Sequence, residues 1–284
     1  TEEFTGAGQP VGAWSTGGNL NTARTNIANA GTQTSALGFG GDPAPTRAFT
    51  ESYNGTSWTE VGDLNTGRNT MGGSGASNTA ALCFGGTISP AVTELWNGSN
   101  WTEVNDLNTG RLYLSGAGTT TASIAVGGEV PGGNSAVTEL WNGTNWTEVN
   151  DLNTARYAGA TAGITTSALT FGGANPRYAN TESWNGTNWT EVADLSAAKQ
   201  AMGAAGTSNT SALGFGGTSP ITANTEQWNG SSWTEVANLS VARRQLGGAG
   251  TVDAALAFGG DVPPNSTSTE EWNSSSTVIK QLTD

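Results

Sequence analysis

One block recurs along the chain, and it fixes the class of fold open to it. Close to Thr-Glu-x-Trp-Asn-Gly-x-x-Trp-Thr-Glu-Val, it stands, counted from its first Trp, at 96–104, 141–149, 184–192 and 228–236. The stretches 141–149 and 184–192 are identical, a weaker copy starts at Tyr53 and a decayed one at Trp272. Gly-Gly pairs begin at Gly40, Gly85, Gly127, Gly172, Gly216 and Gly259, with gaps of 45, 42, 45, 44 and 43 residues. A basic residue keeps the same phase, at Arg24, Arg68, Arg111, Arg156, Lys199 and Arg243. Repeat units of about 44 residues fall in the range of four-stranded propeller blades. The expected organisation is a single domain over 1–284, with six blade repeats starting near these basic residues.

Each unit reads as four short strands, A to D. Strand A follows the basic residue and is small and Gly-rich, as at 114–118. Only small side chains fit where strands crowd a central axis. Strand B is a continuous apolar run into Gly-Gly, as at 36–41 and 255–260, which suits burial on both faces. Strand C is Thr-Glu-x-Trp, and strand D, Trp-Thr-Glu-Val, alternates as a half-exposed edge does. Asn-Gly between C and D, at Asn54, Asn97, Asn142, Asn185 and Asn229, is a hairpin signal. Some of these are also glycosylation sequons, as at Asn142-Gly143-Thr144, and turn chemistry is the favoured reading. All 11 Trp close strand C or open strand D, the second set being Trp14, Trp58, Trp101, Trp146, Trp189 and Trp233. They could stack on sugars; packing of blade against blade is favoured. Each could bury about 150–250 Å². That corresponds to at most about 4–6 kcal/mol apiece.

Composition narrows the function classes. The chain has 284 residues, 42 of them Gly, with 12% charged residues and a net charge of −13. Turns should be abundant and salt-bridge networks scarce. The acidity disfavours binding to the nucleic-acid backbone and to anionic membranes. The one cysteine, Cys83, lies in an apolar strand pattern and reads as a small buried hydrophobe. No apolar run has the length of a membrane span, and no membrane insertion is expected. The chain opens at Thr1 without Met, which reads as a processed or trimmed product.

The order Gly-Gly, aromatic, Trp, basic residue resembles the Kelch repeat over nearly the whole chain. The aromatic-to-Trp spacing of five, as from Trp141 to Trp146, is shorter than the usual Kelch hairpin. The Trp-Asn-Gly-Thr-Asn-Trp block is similar to repeats in large structural proteins of marine bacteriophages. The Kelch resemblance implies an all-β, six-bladed β-propeller around a central channel. Six A-B-C sets meet seven candidates for strand D, the two terminal ones being 14–20 and 277–282. The segment 14–20 keeps the Trp, so it is expected to complete the last blade and remove an exposed sheet edge. The segment 277–282 would then be an extra outer strand or a link to a partner.

Function is expected where the units differ. The B–C loops, at 42–49, 87–92, 129–137, 174–180, 218–224 and 261–268, vary in length and chemistry. Variable loops on a constant scaffold are the usual place for recognition. Arg47, Arg177 and Tyr178 are the candidate contacts there. Asn69, Tyr113, Tyr157, Gln200 and Arg244, just after the basic positions, should lie near the channel mouth. The six basic residues themselves should ring that mouth. They would form an anion site or, as favoured, pair with Asp63, Asp106, Asp151 and Asp194, five residues upstream.

Catalysis is not expected. There is no histidine, which removes Ser-His-Asp and Cys-His chemistry and imidazole metal sites. It also excludes the copper oxidases that share this fold, and the Asp boxes of sialidase propellers are absent. Nearly every Glu recurs from unit to unit, which reads as scaffold rather than as a glycosidase pair. No cofactor or metal is expected. The leading expectation is a non-enzymatic structural and interaction module, extracellular or in a phage particle as a fibre, decoration or host-attachment part. Its partners would be a protein, a cell-surface glycan or other virion proteins, not nucleic acid. The alternative is a secreted lectin-like propeller with sugar sites at the repeated Trp.

Overall fold

The computed structural model describes residues 12–218 and 220–274. It is all-β, with six four-stranded antiparallel sheets set as blades around a central channel, a six-bladed β-propeller. From strand A outward, blade 1 is Ala28–Thr32, Ser35–Phe39, Thr50–Tyr53 and Trp58–Glu60. Blade 2 is Gly72–Ser77, Ala80–Phe84, Thr93–Trp96 and Trp101–Val104. Blade 3 is Ser115–Gly118, Ser123–Val126, Thr138–Trp141 and Trp146–Val149. Blade 4 is Ala160–Ile164, Ser167–Phe171, Thr181–Trp184 and Trp189–Val192. Blade 5 is Gly203–Ser208, Ser211–Phe215, Thr225–Trp228 and Trp233–Val236. Blade 6 is Gly247–Gly250, Ala254–Phe258, Thr269–Asn273 and, from the other end of the chain, Ala13–Thr16.

The A strands line the channel, and their smallness has a direct cause. A Cβ built on Gly116 would stand 2.3 Å from the Phe84 ring of the neighbouring blade. The strand B aromatics Phe39, Phe84, Phe171, Phe215 and Phe258 are fully buried and fill the space the glycines leave. Farther out, each indole of the second Trp set packs on the preceding blade. Trp101 meets Phe39 at 4.9 Å, Trp146 meets Phe84 at 4.9 Å and Trp233 meets Phe171 at 4.7 Å.

Gly-Gly fastens blade to blade rather than merely ending strand B. Both residues sit at positive φ, for example 64° at Gly40 and 99° at Gly41. The second N–H of each pair donates to the carbonyl of the next blade's basic residue. The links run Gly41 to Arg68, Gly86 to Arg111, Gly128 to Arg156, Gly173 to Lys199, Gly217 to Arg243 and Gly260 back to Arg24, at 2.8–2.9 Å. Six bonds thus close a belt around the ring.

The C–D hairpins are four-residue loops, since Tyr53 pairs with Trp58 and Trp96 with Trp101. Only the Gly of Asn-Gly is at positive φ, 89° at Gly55 and 93° at Gly98. The Asn instead closes the loop with its side chain: Asn54 Oδ1 accepts from the N–H groups of Thr56 and Ser57 at 2.9 and 3.0 Å. Asn-Gly therefore works here through an Asx turn, not through positive φ at both residues.

Closure follows the expected route. Trp14 lies opposite Trp272 in antiparallel register, with ring centroids 5.6 Å apart. Segment 277–282 lies outside the described residues. At the seam between blades 6 and 1, the buried Tyr53 hydroxyl donates to Glu271 Oε1 at 2.6 Å. Burial, then the hydrogen bond and charge of Glu271, push the phenol from 10.0 up to about 12. The protonated phenol is the form the folded seam holds. Its stabilisation is complete below the unfolded value near 10 and is lost as pH climbs through about 12. Urea midpoints at about pH 9 and about pH 11.5 should therefore fall further for the wild type than for Tyr53→Phe. Equal falls would remove this contribution.

Candidate functional site

The six basic residues do not ring the channel mouth, and they do not pair with the upstream aspartates. All are at most 5% exposed, and each meets the Glu of strand C in its own blade. The pairs are Arg24–Glu51, Arg68–Glu94, Arg111–Glu139, Arg156–Glu182, Lys199–Glu226 and Arg243–Glu270. Asp63, Asp106 and Asp151 accept instead from the backbone N–H of Thr50, Thr93 and Thr138 at 3.2–3.3 Å, while Asp194 is exposed. The channel itself is lined by uncharged residues throughout. Among the described residues no cation lines its mouth, where an anion site would need one.

Each arginine is a clamp on the B–C loop. Arg68 Nη1 donates to the Gly85 carbonyl at 2.9 Å, where the loop begins, and to the Val92 carbonyl at 2.7 Å, where it ends. Its Nη2 reaches Glu94 Oε1 at 2.7 Å. Arg24, Arg111, Arg156 and Arg243 repeat the pattern on their own loops. The other carboxylate oxygen accepts from the D–A loop that leads into the same blade, as when Glu94 Oε2 receives the Asn65 N–H and side-chain amide, both at 2.8 Å. Burial lowers the affinity of Arg24, Arg111 and Arg243 for the proton, and their glutamates oppose that shift. Lys199 cannot reproduce the fork and bonds only Glu226.

The mouth on the B–C loop face is built by residues two positions beyond the basic ones. Asn26, Thr70, Tyr113, Ala158, Ala201 and Gln245 all have φ between 50° and 59°. Their backbones are chained across blades: Tyr113 N–H to Thr70, Ala158 to Tyr113, Ala201 to Ala158, Gln245 to Ala201 and Asn26 to Gln245, at 2.8–2.9 Å. Tyr113 and Tyr157 stand together at 5.6 Å between centroids and line the mouth with Gln200. Burial, followed by the charges of Glu129 and Asp42, raises the Tyr113 phenol. The sequence drew attention to Tyr113 and Tyr157. It missed Asn26, Thr70 and Gln245, whose only shared signal is distance from the basic residue.

The remaining candidates lie around this mouth. Asn69 donates to Asp42, and Arg47 Nε bonds the same carboxylate at 2.9 Å. Arg244 is held by Asp261 at 2.7 Å. Tyr178 covers the buried clamp, with the Arg156 guanidinium 5.5 Å from its ring centre, and Arg177 is exposed beside it. Ile88, missed in the sequence, is the most exposed large hydrophobe among the described residues at 71% and projects from the blade 2 loop. Cys83 is fully buried, and burial pushes its thiol up to about 12, so it packs as a hydrophobe. Among the described residues no group of three or more Cys, Asp or Glu converges as a metal site would.

The repeated Trp do not offer equivalent sugar sites. Trp96, Trp141, Trp184, Trp228 and Trp272 are at most 2% exposed. The second set donates across the blade boundary to strand C threonines: Trp101 to Thr50, Trp146 to Thr93, Trp189 to Thr138, Trp233 to Thr181, Trp14 to Thr225 and Trp58 to Thr269. Compared with known proteins, the sequence matches no family model and no curated protein. The propeller therefore stands on the structure, and the Kelch and phage likenesses stand as resemblances of sequence.

These packing roles set the expected cost of three substitutions. Trp184→Ala should cost about 3–5 kcal/mol in urea unfolding, whereas an indole serving only a ligand would cost little. Arg68→Ala, which strands Glu94 and two loop carbonyls, should cost about 3–5 kcal/mol. Lys199→Arg should add about 1–2 kcal/mol by restoring the fork. A neutral Lys199→Arg would show that blade 5 does not need the clamp.

Proposed function

We propose that this chain is a non-enzymatic structural and interaction module, part of a phage particle, that recognises its partner through the B–C loop face. One observation carries the reading. In five of the six blades the ends of the loop are held by the same buried arginine clamp, while the bodies between them differ. Blade 1 has a 3₁₀ turn at Thr46–Ala48. Blade 3 has a two-stranded ribbon of Glu129–Val130 and Gly133–Asn134. Blade 2 raises Ile88 at a φ of 73°. A shared frame presenting different surfaces suits recognition, and an exposed isoleucine on the blade 2 loop with an exposed Arg177 on the blade 4 loop suits a protein or cell-surface partner. The virion assignment rests on the resemblance of the Trp-Asn-Gly-Thr-Asn-Trp block, and with it an extracellular or particle-bound location. The strand C glutamates are engaged on both oxygens, as Glu94 and Glu182 are, so no reaction is assigned to them.

Two measurements test this. Antibody against the chain should detect it in density-purified phage particles at constant stoichiometry; recovery only as free protein would remove the virion role. Adsorption of labelled chain to host cells should fall by about tenfold or more for Ile88→Asp combined with Arg177→Glu. Ser99→Lys with Thr144→Lys, on the opposite face, should leave it unchanged. Equal losses from both faces would overturn the loop-face reading.

A further inference from the structure

At the centre of the B–C loop face lies a cavity of about 270 Å³ that the packing does not explain. Its polar and aromatic lining is Asn26, Thr70, Tyr113, Tyr157, Gln200 and Gln245, and among the described residues no charged one lines it. Thr70 is 6% exposed, and its Oγ1 has no hydrogen-bond partner. A buried hydroxyl left unpaired is costly, so a site that keeps one is arranged for something else to fill it.

We propose that this channel mouth binds a neutral polyhydroxylated ligand, a single saccharide unit, between the Tyr113 and Tyr157 rings and the Thr70 hydroxyl. The chemistry is specific in three ways. First, the two half-buried phenol rings, inclined at 51°, offer faces to the C–H surface of a sugar ring. Second, the Gln200 amide and the Thr70 hydroxyl, with what Asn26 and Gln245 do not give to Asp42 and Thr25, supply donors and acceptors together, as vicinal hydroxyls require. The backbone adds little, because five of the six N–H groups at these positions, those of Tyr113, Ala158, Ala201, Gln245 and Asn26, are already bonded within the ring. Third, the charges at the rim face one another: Asp42 is taken by Arg47 and Asn69, and Asp261 by Arg244. Glu129 stands near Tyr113 and disfavours an anion. A cation would need a carboxylate in the lining, and none is there. This site differs from the repeated Trp positions, which are buried, and there is one such mouth per ring on this face.

The inference rests on the reading of the B–C loop face as the recognition face and names the ligand chemistry at its centre. The test is titration of the whole chain, read by saturation-transfer NMR, with glucose, galactose, mannose, N-acetylglucosamine and their short oligomers. N-acetylneuraminic acid and choline serve as charged probes. At least one neutral saccharide should bind, and both charged probes should fail. Tyr113→Ala and Tyr157→Ala should each weaken binding about tenfold. Thr70→Val should weaken it about fivefold, while its thermal midpoint stays level or rises because the unpaired hydroxyl is gone. A blank panel, preference for a charged probe, or affinity unmoved by Thr70→Val and Tyr157→Ala would overturn the proposal. The two readings fail separately. A blank panel with adsorption still lost in the Ile88 and Arg177 variant removes only the saccharide. Adsorption indifferent to that variant removes the loop-face reading beneath it.

Discussion

The ring depends on one buried ion pair, repeated once per blade. Taking an arginine and a glutamate out of water costs several kcal/mol per ion, and only good geometry with further hydrogen bonds offsets it. Here the geometry does several jobs at once. The guanidinium fork joins the start of the B–C loop, its end and the strand C carboxylate. The carboxylate's second oxygen holds the D–A loop that leads into the blade. The arginine's own carbonyl receives the Gly-Gly N–H of the preceding blade. Removing the side chain would therefore loosen two loops. Moving the backbone would open the belt between blades. Of 10 Lys and Arg in the chain, six serve in these pairs, so a sparsely charged sequence places most of its cations where water is absent.

That pair also shows how far the sequence could be read. The period, the four-strand unit, the small inner strand and the closure of Trp14 on Trp272 were all legible, because each is a local pattern or a count. The partner of the basic residue was misread by choosing the nearest acid, five positions away, over one 26–28 positions away. Topology contains the right answer. Strand A rises from the loop face, strand B returns to it, and strand C starts from it again. The first residues of strand C are therefore level with the residue that precedes strand A. Register, not sequence distance, decides which acid meets the arginine. The ring of positive φ values was not legible at all. Asn26, Thr70, Tyr113, Ala158, Ala201 and Gln245 share no side-chain chemistry, since the backbone alone makes the contact.

Repetition and function separate along the same line. The Trp, the strand C Thr, the Asn-Gly loops and the Gly-Gly pairs recur because every blade boundary poses the same packing problem. Each second-set indole satisfies its N–H on the previous blade's threonine and lays its ring on that blade's core. A side chain so engaged has no face left for a ligand. What can be spared for recognition is what the boundary does not use: the outward side chains of the B–C loops, whose backbones are tied to the neighbouring D–A loops, and the side chains of the channel mouth.

The mouth carries this furthest. A β-branched threonine at a φ of 59° is an outlier, and such conformations persist only where the surroundings over-determine them. Here the surroundings do: Thr70 lies between the Gly-Gly belt and the chain of N–H to carbonyl bonds at the mouth. The backbone is thus fixed blade by blade whatever the side chain, which frees the side chain to vary at little further cost. The same constraint takes up the amides that would otherwise greet an anion or a carbonyl at the mouth. Selectivity there therefore rests mainly on side chains, and the polar and aromatic ones present are phenol, amide and hydroxyl. A ring that spends its charges inside its blades leaves a neutral, hydrogen-bonding centre on its variable face, and that centre is matched to uncharged hydroxyl-rich ligands rather than to ions.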